Sequence, residues 1–440
     1  MNASTMIFLL RPSKDQTGIL VLPIVAFAMV TTLVMTVIGG AQSFWGWTDP
    51  EAPIYQILAT IALVLLVVPL TSLGGAAARL SARRRDERLS TLRLLGVTPS
   101  GVATLTVIES VLLAGTGALL GGVGHLVLSP LIGLIPFRGG PLGQSAVVLS
   151  PLNILIVVVS VLVLAAVSAA IGLRRVSISP LGVRMRTTAT KVHWIRAVIA
   201  ASVLATAFAV ISVFPGAGGY VATVVVIAGM FAGVLAVLNL VGPWVLKVTA
   251  TNQLRRAEKP ERLLAARLVL DSPKSAWRQV GGVAMSSFMA VFAGTGVSVM
   301  STMSDAGAAP EDLALVTDMR TGLIITLVAS FLMVAVSVSI NQASEVLDQR
   351  PLHRSLHHLG VPLDTVDRAR RRAVMSPLLI TAIGSALCAG VLVFPLMGLA
   401  LITAPLSLVT IAGVVMVGIG VVWISTRATQ PLLARSFAAA

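Results

Sequence analysis

Arg83-Arg84-Arg85-Asp86-Glu87-Arg88-Leu89-Ser90-Thr91-Leu92-Arg93-Leu94-Leu95-Gly96-Val97 is answered later in the chain by Asp348-Gln349-Arg350-Pro351-Leu352-His353-Arg354-Ser355-Leu356-His357-His358-Leu359-Gly360-Val361. Each reads as a short basic helix that closes on Leu-Gly-Val, and each lies between two long apolar segments. In the first copy Leu89, Leu92 and Leu95 share one helical stripe, with arginines on its flanks. Gly96 and Gly360 are placed to end their helices in a left-handed conformation before the chain turns back. A basic helix repeated on one side of a membrane suggests a docking surface for a two-lobed or dimeric partner.

Composition sets the environment. The chain is 56% hydrophobic and only 11% charged, and its mean hydropathy is +0.95. Soluble domains carry about 25% charged residues, so this is an integral membrane protein. The net charge of +15 does not indicate nucleic acid, because of where the basic residues fall. A spanning helix needs about 20 mostly apolar residues at about 1.5 Å each. Ten segments meet that demand, near 18–41, 54–76, 102–128, 153–173, 195–213, 221–246, 280–300, 321–340, 375–396 and 407–425. The first is too long for a signal-peptide core of about 7–15 residues and is expected to be a retained anchor.

With ten spans and a cytoplasmic N-terminus, all 32 basic residues except Arg138 and Arg320 fall on the inner side. A missed span would scramble that split. Both termini are therefore expected in the cytoplasm of a multi-pass plasma-membrane protein. The longest outer loops are expected at 129–152 and 301–320, the second acidic through Asp305, Glu311, Asp312 and Asp318. Trp45, Trp47, Trp194, Trp244, Trp277 and Trp423 stand near span ends and read as interfacial anchors. The expected fold is all-α and polytopic. Residues 1–190 form a first four-span repeat, 191–250 a two-span linker, and 251–440 a second four-span repeat parallel to the first.

The chain is expected to carry no ATPase of its own, so that energy comes from a separate subunit or an ion gradient. A P-loop needs Gly-Lys followed by Ser or Thr, and none of the five lysines follows a glycine. The single cysteine, Cys388, excludes a disulfide framework. His353, His357 and His358 have no acidic residue between them and read as a solvated or partner-facing cluster, not a metal site. Glu109 is the acid placed well inside a span, about 10 Å along the third helix, and an intramembrane carboxylate is a functional candidate by default. Gly117 and Gly121, with Gly124 beyond, and Gly384 with Cys388, have the small-xxx-small spacing that lets helix backbones approach.

The first motif, with Leu92 to Thr98, then Glu109, Gly117 and Gly121, resembles the FtsX-like (MacB-type) permease domain of ABC transporters. The four-two-four layout resembles the ten-helix Bce-type permeases, over essentially the whole chain. The departures are Arg88 where the family has an Arg-Glu pair, Pro351 in the second copy, Ala373 where the first copy has Glu109, and no room for a large external domain.

The resemblance implies two ATPase-coupling helices, carried by Arg85, Glu87, Arg88, Leu89, Leu92, Arg93, Leu95 and Gly96 in one half. Arg354, Leu356, Leu359 and Gly360 carry the other. It implies a separate cytoplasmic ABC ATPase, dimeric, that binds the ATP and magnesium, and no cofactor in this chain. An extracytoplasmic accessory protein is a further partner it allows. It implies an amphipathic substrate: a peptide antibiotic, a lipid or a hydrophobic drug. Two other readings belong to different classes: a proton-coupled secondary transporter using Glu109, and a non-transporting sensor subunit.

Overall fold

A computed structural model describes residues 17–83, 99–177, 219–305, 310–348, 355, 358–403 and 405–427. The protein is an all-α membrane protein. Among the described residues eight helices are long and apolar enough to span a bilayer. A ninth, α2, is bent by 40° at Pro69 and qualifies if its two arms count as one span. The bend follows from proline, which removes an i→i−4 hydrogen bond and crowds the preceding turn. The segment expected to span at 195–213 lies outside the described residues.

The helices fall into two compact units. The first holds α1 (Thr17–Gln42), α2 (Ala52–Arg83), α3 (Pro99–Gly133), a hairpin of β1 (Pro136–Phe137) and β2 (Gly140–Pro141), the one-turn α4 (Gln144–Val147) and α5 (Pro151–Ser177). The second holds α6 (Gly219–Arg255), α7 (Pro260–Asp271), α8 (Pro273–Asp305), α9 (Pro310–Asp348, residues 339–344 excepted), α10 (Leu363–Leu392), α11 (Phe394–Thr403) and α12 (Pro405–Arg427). The segment read as a joint, 191–250, thus contributes α6 to the second unit, where α6 packs against α7 and α8.

In lipid, helices gain little by hiding apolar surface from one another. Close packing and hydrogen bonds hold them instead. The first unit shows this along α1 and α3. A Cβ placed on Gly117 would sit 2.5 Å from the Cβ of Phe27, and one on Gly121 would sit 2.5 Å from the Cβ of Thr31 and 2.8 Å from the Ala28 carbonyl. The absence of side chains at these two positions brings the backbones together. Thr32 Oγ1 then donates to the Gly121 carbonyl at 3.1 Å. The opposite face of α3, with Leu112, Leu119, Val123 and Val127, is exposed, as a lipid-facing surface should be.

The second unit is built around α8, whose residues 280–290 are buried on every side. Phe331 of α9 lies against Gly418 of α12, and Val280, Val338, Leu378 and Val422 join it in one core. Within this core Ser286 and Ser330 share a hydrogen bond between α8 and α9. Trp277 is also core, a correction to its reading as an interfacial anchor. It is 5% exposed, lies against Gly242 and Gly281, and its indole N–H donates to Asn239 Oδ1 at 2.7 Å. A buried indole needs such a partner, and Asn239 on α6 supplies it. Trp45 and Trp423, by contrast, are exposed at helix ends, and Arg427 stacks on the Trp423 ring at 3.7 Å.

Helix ends depart from hydropathy in three places. α10 begins at Leu363, not near 375, because Pro362 caps it and its charged first turns are paired. The acidic 301–320 segment is mostly helix, since α8 continues to Asp305 and α9 starts at Pro310. A further short apolar helix, α11, stands between α10 and α12.

Candidate functional site

The second basic motif enters the described structure at its end. Ser355 accepts a hydrogen bond from the Leu359 N–H at 3.1 Å, closing one helical turn. Gly360 then takes φ +75°, the left-handed conformation that a glycine adopts without steric cost. Val361 and Leu363 fold back against Val346 and Val366 and fix the turn to the ends of α9 and α10. The turn leaves Leu359 78% exposed. Among the described residues, no side chain covers this leucine.

Directly behind the turn, the base of α10 carries a buried ionic cluster. Asp367 accepts from Arg370 at 3.1 Å and pairs with Arg371 at 2.6 Å. The side chains of Asp367 and Arg370 are each only 7% exposed. Arg370 also donates to the Thr426 carbonyl at the end of α12, at 3.4 Å, and feels the charge of Glu345 on α9. Arg370 therefore links the bases of α10 and α12 and faces the charge of Glu345 on α9. Asp364 and Arg368 form a second pair at 2.6 Å on the same helix, but in the open. Gln253 of α6 and Ser376 of α10 exchange hydrogen bonds at 2.7 and 3.1 Å. Mechanically, a push on the 358–362 turn meets a clamped group of helices, not a loose loop.

The other motif positions divide by location. Arg85, Glu87, Arg88, Leu89, Leu92, Arg93, Leu95, Gly96, Arg354 and Leu356 lie outside the described residues. Glu109 is half-buried on α3, between buried Thr106 and Ser110 on its own helix. Its counterpart Ala373 lies on α10 just beyond the Asp367 cluster, so the second half carries its embedded charge about a turn earlier. Gly117 and Gly121 meet α1 as described. Gly384 faces open space, with nothing within 4 Å of a Cβ built there, so among the described residues no helix packs on it.

Three groups escaped sequence reading. Asp367 and Arg370 look like solvated loop charges until their i, i+3 spacing is set on a helix. His125 on α3 is 1% exposed, with Thr36 Oγ1 3.4 Å from its Nδ1, and the sequence offered no pattern around it. In the sequence Arg138 stands out only as an exception to the charge split. It sits at the tip of the β1–β2 hairpin with φ +53°, its guanidinium 4.1 Å from the Trp47 ring centre and 4.6 Å from that of Tyr55. Arg138 also makes a two-armed ion pair with Asp49. Trp47 is thus part of a clasp at this end of the unit, not a free membrane anchor.

The clasp has a pH signature. The hydrogen bond from Arg138 holds the Asp49 carboxyl below its ordinary value of 3.8. A carboxyl depressed on folding stabilises the fold above its unfolded pKa, and the contribution is lost as pH falls through the folded one. The fluorescence assigned to Trp47, taken as wild type minus Trp47→Phe, should stay constant from pH 9 to 5 and change only in acid below about 3.8. Arg138→Gln should show the altered signal at neutral pH.

Compared with known family models and with curated proteins, the chain matches none.

Proposed function

We propose that this chain is the permease subunit of an ABC transporter, a ten-span plasma-membrane protein with both termini in the cytoplasm. Two parallel four-span halves are joined by two linker spans. A separate cytoplasmic ATPase dimer binds ATP and magnesium and docks on the two basic motifs. Closure of that dimer drives both motifs, and through them the spans of each half, to move an amphipathic substrate toward the outer leaflet. The supporting observation is the repeated Arg-flanked motif ending in Leu-Gly-Val, with the Leu359 side chain exposed ahead of a left-handed Gly360. The clamped base of α10 behind it suits a part that must transmit force.

Docking is tested by charge. Leu359→Asp and Leu92→Asp each place a carboxylate in the apolar centre of the expected contact, and burying an unpaired charge costs several kcal/mol. Both variants should insert into the membrane normally. When the tagged chain is purified from its native membranes, they should recover at least tenfold less ATPase than wild type. An undiminished ATPase yield from a correctly inserted variant would sink the assignment.

A further inference from the structure

We infer that α7 and the adjoining ends of α6 and α8 form a binding ledge for anionic phospholipid headgroups. Two spans hold α7 at the membrane boundary. Gly233–Arg255 precedes it, Pro273–Ser301 follows it, and the links are four residues, 256–259, and the single Ser272. With tethers this short, the helix, about 18 Å long, cannot leave the surface.

Its two faces differ. Ala265, Ala266 and Val269 are buried, and α7 packs against α6 and α10. The far side carries Lys259, Leu263 and Arg267 at i, i+4 steps, all exposed, with Leu263 45% exposed between the two cations and Arg262 beside them. Lys247 and Arg255 on α6 and Lys274 on α8 extend the basic surface.

Between Lys247 and Arg278 the chain holds eight basic residues against Glu258, Glu261 and Asp271. Among the described residues, no ion pair engages Lys259, Arg262 or Arg267. A cation–leucine–cation stripe at the membrane boundary suits the headgroup level of a bilayer, with the leucine on acyl chains and the cations on phosphates. The occupant is lipid and not the ATPase, because short tethers to a membrane span on each side keep this helix at headgroup depth. The charge is complementary to an anionic leaflet.

The test uses the full-length chain purified in detergent and titrated with phosphatidylglycerol or phosphatidylcholine. Bound lipids are counted by native mass spectrometry. Phosphatidylglycerol should bind and phosphatidylcholine should not, and binding should weaken steeply with added salt. Losing three surface cations, in Lys259→Gln/Arg262→Gln/Arg267→Gln, should weaken binding by about a hundredfold. Glu258→Gln/Asp271→Asn removes two competing anions and should strengthen it, which keeps the proposal testable if the triple variant folds poorly. Equal binding of the two lipids, or unchanged affinity in both variants, would overturn it. So would a triple variant that keeps phosphatidylglycerol but loses an ATPase from the native membrane.

Discussion

Gly121→Leu is expected to cost most of the thermal stability of the first unit, while Gly122→Leu, one residue along, costs almost none. The difference is geometric. At Gly121 even the first added carbon lies 2.5 Å from the Thr31 Cβ and 2.8 Å from the Ala28 carbonyl, a backbone atom that cannot rotate away. At Gly122 nothing lies within 4 Å. A leucine at 121 must drive α1 away from α3. That breaks the Thr32 hydrogen bond to the Gly121 carbonyl and opens the packing at Gly117 on the same seam. Overpacking of a tight core costs about 1–3 kcal/mol, and the clash with backbone puts this case at or above the upper end. Tryptophan-fluorescence melting in detergent should show a clear drop for Gly121→Leu and a midpoint near wild type for Gly122→Leu. Equal midpoints would show that the α1–α3 seam does not hold the unit together.

That seam was legible in the sequence because glycines at i, i+4 have few other uses in an apolar helix. Eight of the expected spans were legible for a similar reason: long apolar windows have no other solution in a bilayer. What hydropathy concealed was charge that is neutralised by a neighbour. Asp367, Arg370 and Arg371 lower the apparent apolarity of their window, so α10 reads as starting near 375. Folded, their charges pair, and the helix runs from Leu363. Trp277 misled for the opposite reason. Position near a span end is the signature of an interfacial anchor, whereas its partner, Asn239, lies on another helix and its seat is made by the absence of a side chain at Gly242. Long-range pairings of this kind leave no trace in local pattern. The same holds for the Arg138 clasp, whose partners Asp49 and Tyr55 are far from it in sequence.

The ionic cluster yields the second large effect. Asp367→Ala removes the acceptor that both Arg370 and Arg371 share and leaves Arg370 with its charge buried. Breaking a buried pair from one side costs about 3–5 kcal/mol, because the remaining charge has lost its compensation. Asp364→Ala is the matched control on the same helix. Its partner Arg368 is 58% exposed and Asp364 itself 70%, so its loss should cost at most about 1 kcal/mol. Asp367→Ala/Arg370→Met removes both buried charges and fills the volume with an unbranched apolar chain. It should recover at least half of the lost stability, since a buried pair replaced by apolar groups is often neutral. Recovery stays incomplete because Arg371 still lacks its acceptor and the Thr426 carbonyl loses the Arg370 donor. Melting curves of the four proteins in one detergent give the comparison. If the double variant is no more stable than Asp367→Ala alone, the stranded charge of Arg370 is not what destabilises the single variant. The clamp on α9 and α12 would then depend on Asp367 through contacts other than this pair.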